Sequence, residues 1–233
     1  MVSIVTAANR SLYEAQLDEM YRFRHQVAVG EMGWTLPDAV DGYDIDAYDT
    51  PDTIYFLDHA EDGRLIASSR LNPTTKPHLL SDVFPEFVDS GEIPVGDHIF
   101  EHSRYLVTKR GTTQEEFIRA RARVLLAVHE FGLANGIEML TVLTYQKHYK
   151  LAAYLSRTRP LGAPRYYPED DEHYIAITTD VTQEGLDKAY AFANIKGPVG
   201  HFEIPVGAYH HVPRERWTPP VPAMSSNEPI HVG

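Results

Sequence analysis

The residues of this sequence best suited to chemistry are charges of opposite sign: Arg24, Asp46, Asp49, Arg70, Glu101 and Arg104, interspersed with Trp34 and Ser103. Arginine presents a planar, two-pronged donor to carboxylates, and a carboxylate in turn holds an ammonium group. Three arginines and three carboxylates gathered in one cleft would grip a zwitterionic substrate. Taken singly, the same residues also read as solvated surface ion pairs and turn-forming aspartates. Charges set beside buried-looking aromatics need partners, so the ensemble carries more information than any one member.

Other chemistries find little support. Cysteine is absent, which removes thiolate nucleophiles, disulfides and sulfur-rich zinc sites. His201, His210 and His211 lack an accompanying H-E-x-x-H or tight carboxylate pattern, so no metal is expected. The net charge of -12 disfavours a nucleic-acid or anionic-membrane surface. No apolar run approaches the roughly 20 residues needed to cross a bilayer, and the reading is a soluble, cytoplasmic protein.

The elements that would position the charged set follow from periodicity. Residues 9–24 read as an amphipathic helix ending near Arg24, and residues 33–51, rich in Asp, Gly and Pro, as a long irregular segment. Residues 53–58 and 64–71 read as a hairpin around Glu61-Asp62-Gly63. A short helix over 79–88 precedes a strand over 99–108, where alternation points Glu101 and Ser103 to one face. Thr113 and Glu116 have capping-box spacing before a helix that Gly136 stops. A strand (137–145), a helix (146–157), a strand (173–181) and a helix (183–193) follow. Residues 1–197 thus read as a single α/β domain, and 198–233 as a Pro-rich extension with little regular structure.

Arg24, Gly33-Trp34, Asp46-x-x-Asp49, Arg70-Leu-Asn-Pro-Thr74 and Glu101-His-Ser103-Arg104 resemble, in order and approximate spacing, the motif blocks of the acyl-homoserine-lactone synthases, the LuxI-type enzymes. The likeness is strong over residues 20–110 and weaker over 111–180. It implies a GNAT-like acyltransferase fold, α/β in the α+β sense: a mixed, twisted central sheet flanked by helices in an αβα sandwich. It also implies an acyl transfer from a thioester to the amine of S-adenosylmethionine, with lactone closure and release of methylthioadenosine. No cofactor is implied beyond these substrates. The resemblance assigns Arg24, Trp34, Asp46, Asp49 and Arg70 to the S-adenosylmethionine network. It assigns Glu101, Ser103 and Arg104 to catalysis, with Glu101 accepting the amine proton or, in the plainer reading, pairing with Arg104.

The acyl pocket maps onto Ala28, Phe100, Thr141 and Thr144. Ala28 stands where the family usually has Phe, Tyr43 where an acidic residue is common, and Phe100 where Trp often precedes the Glu. A small residue at Ala28 would open room beside Trp34 for a bulky, branched or aromatic acyl group. Lys109, Arg110, Arg119, Arg123, Lys147 and Lys150, with Arg121, Arg157 and Arg159, form a cationic region suited to an acyl carrier protein or the phosphates of coenzyme A. Two rival readings are a GNAT-like N-acyltransferase that acylates another amine without forming a lactone, and a silent scaffold that binds a ligand or partner.

Overall fold

In the computed structural model, residues 1–37, 39–89, 91–168 and 171–204 are described. Among these residues nine strands form one sheet: β1 (Val2–Val5), β2 (Ile54–His59), β3 (Leu65–Pro73), β4 (Ile99–Val107), β5 (Met139–Tyr145), β6 (Thr158–Pro160), β7 (Arg165–Tyr167), β8 (Glu172–Asp180) and β9 (Gly200–His201). The order is β6-β8-β5-β4-β3-β2-β1-β9, with β7 also paired to β8. The β4–β5 and β1–β9 pairs are parallel and the others antiparallel, so the sheet is mixed.

The helices are α1 (Glu14–His25), α2 (Leu79–Asp82), α3 (Gln114–Ala134), α4 (Tyr149–Leu155) and α5 (Gln183–Ala193). On one face of the sheet α1 packs Leu17, Met20 and Phe23 against Tyr55 and Leu57. On the other, α3 packs Val124, Val128 and Phe131 against Phe56 and Ile66, with the Phe56 and Phe131 rings edge to face at 5.8 Å. Alternation along β2 sends Tyr55 and Leu57 one way and Phe56 the other, which is how one strand serves both layers.

The capping box of α3 is formed: Thr113 Oγ1 accepts the Glu116 N–H at 3.2 Å, and Glu116 Oε2 accepts the Thr113 N–H at 2.7 Å. Such a cap contributes about 1 kcal/mol.

Several elements differ from the sequence reading. The α-helix α1 ends at His25, beside Arg24 as read, but it starts only at Glu14 and passes directly into a π-helical turn over Gln26–Glu31, which buries Val27 and Ala28. The helix read over 79–88 is one α-turn followed by a 3-10 turn over Pro85–Phe87. Within the stretch read as an extension from 198, Gly200–His201 form β9, which pairs with β1, and residues from 205 on lie outside the described residues. The buried carboxylate of Glu130 on α3 accepts the N–H groups of Val199 (2.9 Å) and Gly200 (2.8 Å) and the hydroxyl of Tyr190. Asn9 Nδ2 donates to the Glu203 carbonyl at 3.0 Å. No helix among the described residues is long and apolar enough to cross a membrane.

Candidate active site

The site begins where α1 ends. Arg24, 1% exposed, donates Nε to Asp44 Oδ2 (3.0 Å) and Nη1 to Asp49 Oδ1 (2.7 Å). From β3, Arg70 grips Asp46 with both prongs (Nη1–Oδ1 2.7 Å, Nη2–Oδ2 2.8 Å) and lies 2.9 Å from Asp49 Oδ1. From β4, Arg104 donates to Asp44 Oδ2 (Nε, 2.9 Å) and Asp46 Oδ2 (Nη2, 2.9 Å). Three guanidinium groups and three aspartates thus interlock, nearly all out of solvent.

The loop that carries the aspartates is shaped by their own side chains. Asp49 Oδ2 accepts the Asp46 N–H at 3.0 Å and Asp46 Oδ1 accepts the Tyr48 N–H at 2.9 Å, so this Asp-rich stretch holds itself in turns. Tyr55 on β2 donates its hydroxyl to Asp49 Oδ1 at 3.0 Å.

Electrostatics follow from the geometry. Burial alone would push Asp44 and Asp49 upward, but the facing arginines outweigh it and hold both carboxyls below the usual range. The same carboxylates raise Arg24 against its own burial, so these three groups favour their charged forms.

A β-bulge brings Arg104 into this network. Ser68 pairs with Leu106 but Arg70 pairs with Ser103, so Ser69 faces two residues of β4. Arg104 sits there with φ +49°, a left-handed conformation uncommon for a residue with a side chain. Opposite Arg70 in the register, Ser103 accepts Arg70 Nε on its Oγ at 3.0 Å.

Glu101 stands apart. It does not pair with Arg104: its Oε2 accepts the Leu79 N–H (3.1 Å) and its Oε1 the Leu80 N–H (2.7 Å), at the start of α2. Burial outweighs these hydrogen bonds and raises its pKa above the ordinary Glu value.

Two adjoining cavities open beside these groups. The strands β4 and β5 pair only from Ile99–Met139 to Glu101–Thr141, and beyond those pairs they part. A cavity of about 140 Å³ is lined by Trp34, Leu36, Leu79, Glu101, Ser103 and Arg104, among others. A second, about 230 Å³ and mostly apolar, is lined by Leu125, Leu140, Val142, Leu151 and Ala189. Trp34, His102, Ser103, Leu143 and Tyr174 line both.

Of the expected acyl-pocket residues, Thr144 lines the larger cavity. Ala28, Phe100 and Thr141 line neither. Ala28 fills the core beneath α1, Phe100 points to the α3 side because it alternates with Glu101, and Thr141 lies in the closed part of the sheet between Glu101 and Thr178. Trp34, whose N–H donates to the Ala28 carbonyl at 2.8 Å, borders both cavities, but the Ala28 side chain reaches neither. Tyr43 is on the surface, donating to Asp18 at 2.9 Å, while its neighbour Asp44 is buried and bonded to Arg24 and Arg104.

The cationic region divides. Arg123 is a structural ion pair with the fully buried Asp58 (2.7 Å), Arg159 pairs with Asp180 (2.9 Å), and Lys147 is bound to Glu172. Arg119 lies 3.9 Å from Glu115, and Arg110 and Lys150 are exposed. Lys109 and Arg121 share the Phe117 ring at 5.8 and 5.7 Å, and Arg121 also lines the larger cavity. His201 is in β9, while His210 and His211 lie outside the described residues.

Residues 8–179 match the family described as autoinducer synthase. The chain belongs to that family. Autoinducer synthases similar to it include the isovaleryl-homoserine lactone synthase of Bradyrhizobium diazoefficiens, 32% identical over 80% of this chain and 83% of the relative. An acyl-homoserine-lactone synthase of Ralstonia nicotianae is 39% identical over 58% of this chain and 67% of the relative. Among solved structures, BjaI, a CoA-dependent acyl-homoserine lactone synthase in complex with SAM and isopentyl-CoA, superposes with a TM-score of 0.77 at 29% identity, covering 88% of this chain and 94% of that one. MesI, also CoA-dependent, gives 0.76 at 30% identity, covering 86% and 98%. The GNAT-like sandwich read from the sequence is therefore the fold of this acyltransferase family.

Proposed function

We propose that this autoinducer synthase transfers an acyl group from coenzyme A to the α-amine of S-adenosylmethionine and then closes the homoserine lactone. The observation that carries the reading is the interlocked arginine–aspartate network flanking a cavity that also holds Glu101 and opens onto an apolar one.

Arg24, Arg70, Asp44, Asp46 and Asp49 hold one another and fix the wall against which the methionyl part is ordered, with Trp34 covering it. The Arg104 guanidinium, 12% exposed on its side chain, is the cation best placed to meet the methionyl carboxylate. Glu101 accepts the amine proton, and its raised pKa makes it a better base. The neutral amine attacks the thioester carbonyl. Because Ser103 Oγ already accepts from Arg70, its own hydrogen is free to stabilise the developing oxyanion. Collapse forms the amide and expels the thiolate, which takes up the proton. The methionyl carboxylate then attacks its γ-carbon, the C–S bond breaks, and methylthioadenosine leaves.

Coenzyme A is favoured over a carrier protein because BjaI and MesI are CoA-dependent and because Arg119, Arg123 and Lys147 are engaged within the chain. The substrates place the enzyme in the cytoplasm. Incubation with S-adenosylmethionine and matched acyl-CoA and acyl-carrier thioesters, read by mass analysis, tests all of this. Lactone and methylthioadenosine from acyl-CoA are expected. Thiol release without methylthioadenosine refutes lactone closure, and turnover confined to the carrier thioester refutes the donor.

A further inference from the structure

Among the described residues, eight buried side-chain polar atoms have no hydrogen-bond partner, and three of them surround Glu101. Asn72 on β3 and Thr141 on β5 flank it in the register, and His78 immediately precedes the two residues whose N–H groups hold its carboxylate. The orphaned atoms are Asn72 Oδ1, Thr141 Oγ1 and His78 Nε2. A buried polar group without a partner is a standing cost, so three around one carboxylate call for a physical reason.

Two of these atoms are acceptors by necessity. Asn72 gives its amide N–H to the Tyr48 carbonyl (3.0 Å), which leaves Oδ1 unused. His78 Nδ1 lies 2.9 Å from the Lys76 carbonyl, which can only accept, so Nδ1 carries the ring hydrogen and Nε2 presents a lone pair. An ionised Glu101 offers these acceptors nothing, whereas a protonated Glu101 is a donor.

The three are not equal, because an imidazole nitrogen is a far stronger base than an amide or hydroxyl oxygen. His78 is buried, and neither it nor Asn72 nor Thr141 lines either cavity, so they stand behind Glu101 rather than against substrate. The ring is near enough for a positive charge on it to pull the Glu101 pKa down; an uncharged acceptor does the opposite, by favouring the protonated carboxyl. Other groups facing Glu101 do not compete: Arg70 carries only donors, and Tyr48 gives its hydroxyl to Asp82 (3.4 Å). Of the two carboxylate oxygens, Oε1 is held by Leu80 at 2.7 Å, while Oε2 has the longer bond of 3.1 Å to Leu79, the residue next to His78.

We propose that His78 is a positioning residue for deprotonation of the amine: its Nε2 accepts the hydrogen that Glu101 carries on Oε2 after taking the amine proton, which strengthens Glu101 as a base. The amine N–H bond breaks and its electron pair stays on nitrogen. The proton forms an O–H bond on Glu101, hydrogen-bonded to His78, and later passes to the departing thiolate sulfur. The inference rests on the acyl-transfer reading above.

Two substitutions separate this role from plain support of α2. His78→Asn keeps a donor where Nδ1 meets Lys76 and removes Nε2, whereas His78→Gln gives up that donor and places an amide oxygen near the position of Nε2. With saturating S-adenosylmethionine and the most active acyl-CoA of the preceding assay, His78→Asn should lower kcat for thiol release about threefold. The acidic limb of its kcat profile should move down by about 0.7 pH unit, because the protonated carboxyl has lost its acceptor. KM for S-adenosylmethionine should not change, and His78→Gln should recover most of both effects. Infrared pH-difference spectra of the substrate-free protein, with the Glu101 carboxyl band assigned by Glu101→Gln, read the same midpoint without turnover. A midpoint unmoved in His78→Asn, equal losses in the two variants, or a raised KM with kcat intact overturns the proposal. If the midpoint falls but the parent forms neither amide nor lactone, the acyl-transfer reading fails and the pairing of His78 with Glu101 stands; turnover with an unmoved midpoint has the opposite meaning.

Discussion

Asp44→Ala is the sharpest test of the network, because Asp44 ties Arg24 on α1 to Arg104 on β4 through hydrogen bonds of 3.0 and 2.9 Å. Removing one partner of a buried ion pair costs about 3–5 kcal/mol. Arg24 keeps Asp49 at 2.7 Å and Arg104 keeps Asp46 at 2.9 Å, so the lower end applies, about 3 kcal/mol. For a chain of this size that is a fall in Tm of about 6–12 °C, measured by circular dichroism. Titration calorimetry should show weaker binding of S-adenosylmethionine, since Arg104 loses the contact that orients it. The pH dependence has a definite sign. Folded Asp44 and Asp49 lie below their unfolded value of about 3.9, so their stabilisation is present above that pH and is lost as pH falls through the folded values. The gap between parent and variant should therefore narrow on acidification. A variant that melts within about 2 °C of the parent at neutral pH would refute the claim that the network is held as a unit.

Arg123→Met should cost about 3–5 kcal/mol by leaving buried Asp58 unpaired, whereas Lys150→Ala should stay within about 0.5 kcal/mol, both read by chemical denaturation. An equally stable Arg123 variant would return that residue to the docking surface. Glu130→Ala strands the donors of Val199, Gly200 and Tyr190 and should speed tryptic cleavage after Lys196; an unchanged rate would mean that Glu130 does not secure β9. Gly162→Ala would set a Cβ 2.4 Å from the Phe87 carbonyl oxygen, so it should lower Tm and alter the smaller cavity, which Phe87 lines. A neutral effect on both would show that this close approach is easily relieved.

Long periodic elements were legible in the sequence. The α3 capping box, the β2–β3 hairpin and α5 stand where patterning put them, because local propensity and burial agree there. The short strands β1, β6, β7 and β9, of two to four residues, escaped because so few residues display no period. Asp44, two residues before Asp46, carries no local mark in the sequence, since only its reach to both Arg24 and Arg104 distinguishes it from a turn aspartate. Arg123 reads as part of a cationic face because its partner, Asp58, is 65 residues away, and a long-range ion pair leaves no local mark. The site residues were best marked where several charges of both signs had to share one interior.

The bulge in β4 supplies a guanidinium from a position with no counterpart of its own in β3. A designer idealising this sheet would erase that surplus residue, and the strands would then run in uninterrupted register. The tidier protein would lack the bridge from β4 to the aspartate loop, so at this one position geometric regularity and closure of the buried ion network pull in opposite directions.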